Sequence, residues 1–230
     1  MAELQLYWFP GTCARVPYVA LEEIGEPFEV TVVNLFRDRE AYKSVNPTGK
    51  VPALRANGLM LSENPAIQTF LTKAYPEVRL LPTGDPTLEI DVLSTISWFA
   101  AGVHPAITRL RFPRFCTEQP ESFDGIRATA RAQLAEAFAL LEQRLDGREW
   151  LYGEWSLVDA YMLWLWFRAT GSGMDGVAFP RCADHARRCE RRPSVARVLD
   201  REEQELARFH AEGTIPADLP PFQAGRAPAF

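Results

Sequence analysis

Cysteine is scarce: only Cys13, Cys116, Cys182 and Cys189 occur in 230 residues. Four scattered thiols in a chain of this length exclude a disulfide scaffold and leave reduced cysteine as the expectation. Blocks of basic residues are also missing, and the net charge is −5. Phosphate-backbone binding needs clustered Lys and Arg, so nucleic acid is excluded as a partner. No apolar stretch reaches the length of a membrane span, and no opening run joins basic residues, an apolar core and a small-residue cleavage site. The expectation is a cytoplasmic protein with no membrane partner. Strand signals vanish after about residue 86, which excludes an all-β or continuous α/β chain.

What is present is a hydrophobic content of 47% with 24% charge, ordinary for a folded chain that divides into two domains. Residues 4 to 8 (LQLYW) read as a strand. Ala14 to Ile24 follows at helical spacing until Gly25 offers a left-handed stop, and Pro17 falls in the first turn, where a missing N–H is harmless. Phe28 to Val33 is a second strand, joined by a right-handed parallel crossover. Asp38 to Val45 is a short helix, and Asn57-Gly58 closes a tight hairpin within Ala53 to Leu61. Asn64 reads as an N-cap with Pro65 at the first helical position, opening a helix to about Ala74. The predicted order is βαβαββα, a small α/β unit with a mixed four-stranded sheet.

Residues 75 to 86 carry three prolines and no periodicity. Helices are predicted over Thr87 to about Cys116, Ser122 to Leu145, Leu157 to Thr170, Arg181 to Arg191 and Ser194 to Phe209. Pro105 is expected to break the first of these. Ser156 and Asp159 form a capping box before the apolar run Ala160 to Phe167, expected at the buried centre of a bundle. The expected division is residues 1–79 as the first domain, 80–87 as linker, 88–210 as an all-helical domain and 211–230 as a proline-rich tail or partial lid.

A cysteine at a strand-to-helix turn, a Val-Pro before a hairpin and a Ser-Glu-Asn helix start together suggest a site for a tripeptide thiol. The segments LYWFPGTC, ending at Cys13, and NPTGKVPAL, Asn46 to Leu54, resemble LYxxPGSC and NPxGxVPxL of the soluble glutathione transferases. The likeness covers roughly residues 4 to 209 and is nearest the bacterial beta class. It implies a thioredoxin-like α/β domain that presents glutathione as co-substrate. It also implies a helical domain that shapes a pocket for a small apolar electrophile, no metal, and a homodimer. Thr12 stands where the family has serine, Ser97 where it favours asparagine, and Asn64 where serine or glycine is usual.

The resemblance gives Val51 the backbone pairing with the cysteinyl part of glutathione, beside Pro52 in a cis peptide bond. Free amides at the helix start near Asn64 would hold the γ-glutamyl carboxylate while Glu63 faces the amino group, although both residues equally suit a plain helix cap. Lys50, ahead of Arg15, would meet the glycyl carboxylate. Cys13 at a helix N-terminus has its thiolate favoured and can form a mixed disulfide, with packing as a small hydrophobe as the alternative. Without a second cysteine in C-A-R-V, only a one-cysteine cycle is open. Thr12 or the Cys13 amide is a candidate donor to the glutathione thiolate, and Tyr7 is expected to pack. His104 resembles the family histidine that reaches the glutathione site, where it could polarise the thiol or a leaving group, or is an ordinary hydrogen-bonded helix residue. Trp8, Phe9, Phe112 and Phe115 are expected to line the electrophile pocket. Cys182, His185 and Cys189 share a helical face too stretched for one closed metal site and read as coincidence. Two rival functions use the same fold: a glutathione-dependent lyase, dehalogenase or isomerase, and a non-catalytic interaction module.

Overall fold

A computed structural model describes residues 3–215. They fall into two compact units, residues 3–81 with 192–215, and residues 82–191. The boundary between them falls between Leu81 and Pro82. The tail beyond residue 215 lies outside the described residues.

In the first unit, β1 (Leu4–Trp8), α1 (Arg15–Ile24), β2 (Glu29–Val32), α2 (Arg39–Tyr42), β3 (Ala53–Ala56), β4 (Leu59–Ser62) and α3 (Asn64–Ala74) follow the predicted order. The sheet runs β2-β1-β3-β4, with β1 parallel to β2 and the other two pairings antiparallel. Leu4, Leu6, Ala53 and Leu54 are buried between the layers. Gly25 stops α1 at φ 73°, as the sequence requires of a left-handed cap. Asn57 and Gly58 both take positive φ in a two-residue turn that pairs Ala56 with Leu59.

In the second unit, α4 (Pro86–Trp98), α5 (His104–Arg111), α6 (Phe123–Arg144), α7 (Leu157–Thr170) and α8 (Pro180–Glu190) form the helical body. Pro105 does not break the run. A π-helical turn over Phe99–Val103 carries the chain from α4 into α5, and a lengthened turn is one way a helix absorbs an intrusion in its hydrogen-bond ladder. The continuous run Pro86–Arg111, 26 residues, is by length and composition alone long and apolar enough to cross a membrane, contrary to the expectation. By packing, α4 and α5 are bundle helices, meeting α7 and, for α5, α6. Every residue of α7 is buried, as its composition foretold. On α6, Ala130, Leu134, Ala137, Phe138 and Leu141 recur at helical spacing on the covered face.

Asp159 anchors the start of α7. Its carboxylate accepts from the Ser156 backbone N–H at 3.0 Å, the Ser156 hydroxyl at 3.1 Å and the Leu151 backbone N–H at 3.0 Å. It also meets His185 Nε2 at 2.9 Å. This contact and full burial explain why Cys182, His185 and Cys189 share a face: they are core residues, and no cluster able to hold a metal occurs among the described residues. Burial pushes the Cys182 thiol well above its ordinary pKa.

The last helix, α9 (Pro193–Ala211), belongs to the first unit, not to the helical domain in which the sequence placed it. Its charges explain the difference. Glu202 and Arg15 are fully buried and joined by two contacts, Nε to Oε1 at 3.2 Å and Nη2 to Oε2 at 2.5 Å. Around them Arg192 pairs with Glu23 and Arg197 with Glu22. The Phe209 ring stacks on Phe9 at 5.5 Å. α9 is therefore a second helix laid against α1.

Candidate functional site

Cys13 sits in the turn between β1 and α1, with Arg15 N–H bonded to Thr12 O and Val16 N–H to Cys13 O, so the helical hydrogen bonds begin around the thiol. Its side chain is 8% exposed, and Sγ lies 3.9 Å from Val51 O. The Val51–Pro52 bond is cis. The loop before it is held by Asn46, whose side-chain amide donates to Lys50 O at 2.8 Å, and by the Tyr42 hydroxyl, which donates to the same oxygen at 3.2 Å. Burial pushes the Tyr42 hydroxyl up to about 12. That loop leaves the Lys50 side chain exposed, with no carboxylate partner among the described residues.

Glu63, not Asn64, is the N-cap of α3. It has φ 72° and ψ 128°, a region that a residue with a Cβ enters only when its surroundings hold it there, and such positions cluster at functional sites. Its side chain is exposed. The first N–H groups of a helix have no intrahelical acceptor, and Pro65 removes one, so the N–H groups of Asn64 and Ala66 are the open donors there. They stand beside the exposed Glu63 carboxylate at the start of α3. The Asn64 side chain does something else: it is 3% exposed, and its Nδ2 donates to Cys13 O at 3.1 Å.

Cys13, Val51, Pro52, Glu63 and Asn64 thus converge in the first unit, with Lys50 beside them. Thr12 is half-buried there, and its hydroxyl proton is committed to Phe9 O at 2.6 Å while its oxygen accepts from the Ala14 N–H at 3.4 Å. His104 lies in the second unit, half-buried, its ring edge-on to Trp164 at 4.5 Å between centroids. Arg15 is withdrawn from any ligand by Glu202. Tyr7 packs as expected, 6% exposed, with its hydroxyl donating to Gln5 Oε1. Trp8 and Phe9 cannot line a pocket, because both are 1% exposed or less in the core of the first unit. Phe112 and Phe115 do stand together at 5.2 Å, with Phe115 68% exposed. A cavity of about 510 Å³ in the second unit is lined by Ser94, Thr95, Trp98, Leu140, Gln143 and Arg144, and by none of the expected residues. Sequence reasoning missed the Asn64 bond to Cys13 and the Arg15–Glu202 pair. The first had a faint signal, an amide where the resembled family carries a smaller residue. The second, across 187 positions, had none.

The model of the glutathione S-transferase N-terminal domain matches residues 11–74, which contain Thr12, Cys13, Lys50, Val51, Pro52, Glu63 and Asn64. The glutathione S-transferase GstA of Escherichia coli O157:H7 is 30% identical over 210 residues, covering 86% of this chain and 98% of that protein. A maleylacetoacetate isomerase of Pseudomonas aeruginosa is 26% identical over 77% of this chain and 87% of its own. Among solved structures, a sphingomonad glutathione S-transferase complexed with glutathione superposes with a TM-score of 0.76 at 30% identity, over 86% of this chain and 98% of that one. With near-complete coverage at that identity, and the same two-part fold, this chain belongs to the glutathione S-transferase family.

Proposed function

We propose that this protein is a glutathione transferase that conjugates glutathione to electrophiles or exchanges its thiol with disulfides through Cys13. The observation that carries the reading is the convergence of Cys13, cis Val51–Pro52, Glu63 and the open N–H groups of α3 on one face of the first unit. In this reading the Val51 backbone pairs with the cysteinyl part of glutathione. The Asn64 and Ala66 N–H groups hold the γ-glutamyl carboxylate, Glu63 accepts from the amino group, and Lys50 faces the glycyl carboxylate. The first unit serves as the glutathione-presenting domain and the second carries the electrophile pocket, with Phe112 and Phe115 as its candidate lining.

For exchange, the Cys13 thiolate attacks the glutathione sulfur of a mixed disulfide between glutathione and a substrate thiol, forming a Cys13–glutathione disulfide and expelling the substrate thiolate. A second glutathione thiolate then attacks the glutathione sulfur of that adduct, releasing Cys13 thiolate and oxidised glutathione. For conjugation, the glutathione thiolate attacks an electrophilic carbon and the leaving group departs with its electron pair. Thiolate formation is favoured by the α1 N-terminus. Thr12 acts as a donor only by giving up Phe9 O, so backbone N–H groups are the better-placed thiolate partners. We extend the reading to a cytoplasmic homodimer, on the support of family resemblance. Mass spectrometry after exposure to oxidised glutathione tests the exchange branch. One adduct on Cys13, abolished in Cys13→Ala, is expected; undiminished thiol-transferase activity in Cys13→Ala overturns the one-cysteine cycle.

A further inference from the structure

We propose that Asn64 is a positioning residue, whose side-chain amide locks the Cys13 peptide to the start of α3 and thereby sets the reactivity of the Cys13 thiol. The Cys13 carbonyl accepts two hydrogen bonds, from the Val16 N–H at 3.2 Å and from Asn64 Nδ2 at 3.1 Å. Both lone pairs of that oxygen are engaged, which fixes the plane of the Cys13–Ala14 peptide. That plane fixes ψ at Cys13 and so helps to place Cβ, while the contact of Sγ with Val51 O at 3.9 Å selects the side-chain rotamer. Asn64 is the first residue of α3, directly after Glu63, so one amide couples the thiol turn to the loop that carries the exposed carboxylate. Its orientation is not interchangeable, since a flipped amide would set Oδ1 against a carbonyl oxygen. At 3% exposure the bond is shielded from competing water.

The lowering of a thiol pKa by a helix N-terminus depends on where the sulfur stands relative to the first N–H groups, and the effect fades within one turn. Releasing the carbonyl lets Sγ drift from that position. This inference rests on the glutathione reading only for its relevance to turnover. The test needs no glutathione, so failure of glutathione to bind would sink that reading and leave this one standing.

The experiment is site-resolved alkylation with iodoacetamide across pH, read by peptide mass spectrometry, for the wild type, Asn64→Ala and Asn64→Ser. Serine keeps a small polar side chain at the first helical position, yet it is shorter by about one bond, roughly 1.5 Å, and does not reach the carbonyl. In both variants the midpoint of the Cys13 rate profile is expected to rise, with the thiolate fraction at neutral pH falling about two- to fivefold, the worth of a charge held at a helix N-terminus. The exposed Cys116 should react as in the wild type, and the buried Cys182 and Cys189 should stay protected. An unmoved or lowered Cys13 midpoint overturns the proposal. So does reactivity of Cys182 and Cys189 in both variants, because Asn64 would then be a folding residue.

Discussion

Removing the Glu202 carboxylate should cost more stability than any surface charge change in this protein. Arg15 and Glu202 are both fully buried, and the guanidinium meets the carboxylate through two nitrogens. In Glu202→Ala the Arg15 cation stays in the interior without that partner, and breaking a buried pair from one side costs about 3–5 kcal/mol. A chain of this size loses about 2–4 °C of melting temperature per kcal/mol, so a fall of roughly 6–20 °C is expected by calorimetry. Replacing both partners with apolar residues, Arg15→Met with Glu202→Leu, removes the stranded charge along with the pair. That double variant should recover most of the loss, since apolar substitution of a buried pair is often neutral or stabilising by about 1–4 kcal/mol. A fall below about 2 °C in the single variant, less than 1 kcal/mol on the same scale, would refute the claim that this pair holds α9 on α1. A double variant no more stable than the single would refute the stranded-charge reasoning.

Asp159→Ala strips acceptors from buried Ser156 and Leu151 donors and from the His185 contact. With about 1–3 kcal/mol for each orphaned buried group, a urea unfolding series should lose more than about 3 kcal/mol, and Asp159→Asn, which retains an acceptor, should lose less. Alkaline stability should fall as pH rises from about 10 to about 12. Tyr42 stays protonated in the folded chain up to about 12 while the unfolded chain ionises near the ordinary value of 10, so proton loss favours unfolding across that window. Tyr42→Phe forfeits the hydrogen bond to Lys50 O at neutral pH, but its stability should decline less steeply above pH about 10; an unchanged slope would exclude Tyr42 as a contributor.

The elements were legible where local chemistry decides them. Gly25 and Asn57-Gly58 take the left-handed backbone their residue types favour, and the Ser156–Asp159 spacing formed its box. Cys13 and Val51-Pro52 could be placed together because their segments resemble the LYxxPGSC and NPxGxVPxL motifs of the glutathione transferases. What the sequence concealed are partnerships over long separations. α9 has the amphipathic pattern of any bundle helix, and that pattern says which face is covered without saying by what; Glu202 finds Arg15 only in the fold. Pro105 was misjudged because a widened turn can absorb a proline, a choice set by packing around Phe99 and Val103, both buried. Asn64 was read as a cap from its residue type, but the backbone turns one residue earlier, at Glu63, which frees the amide to reach Cys13.

The central claim is that the face around Cys13, Val51 and Glu63 holds glutathione. Calorimetric titration of reduced glutathione into the reduced protein tests it most directly, with Glu63→Ala alongside. Saturable binding in the wild type, weakened at least tenfold in the variant by loss of a charge-assisted contact of about 1.5–3 kcal/mol, is the predicted result. No binding at roughly 1 mM ligand, a concentration that corresponds to about 4 kcal/mol of affinity, would contradict it.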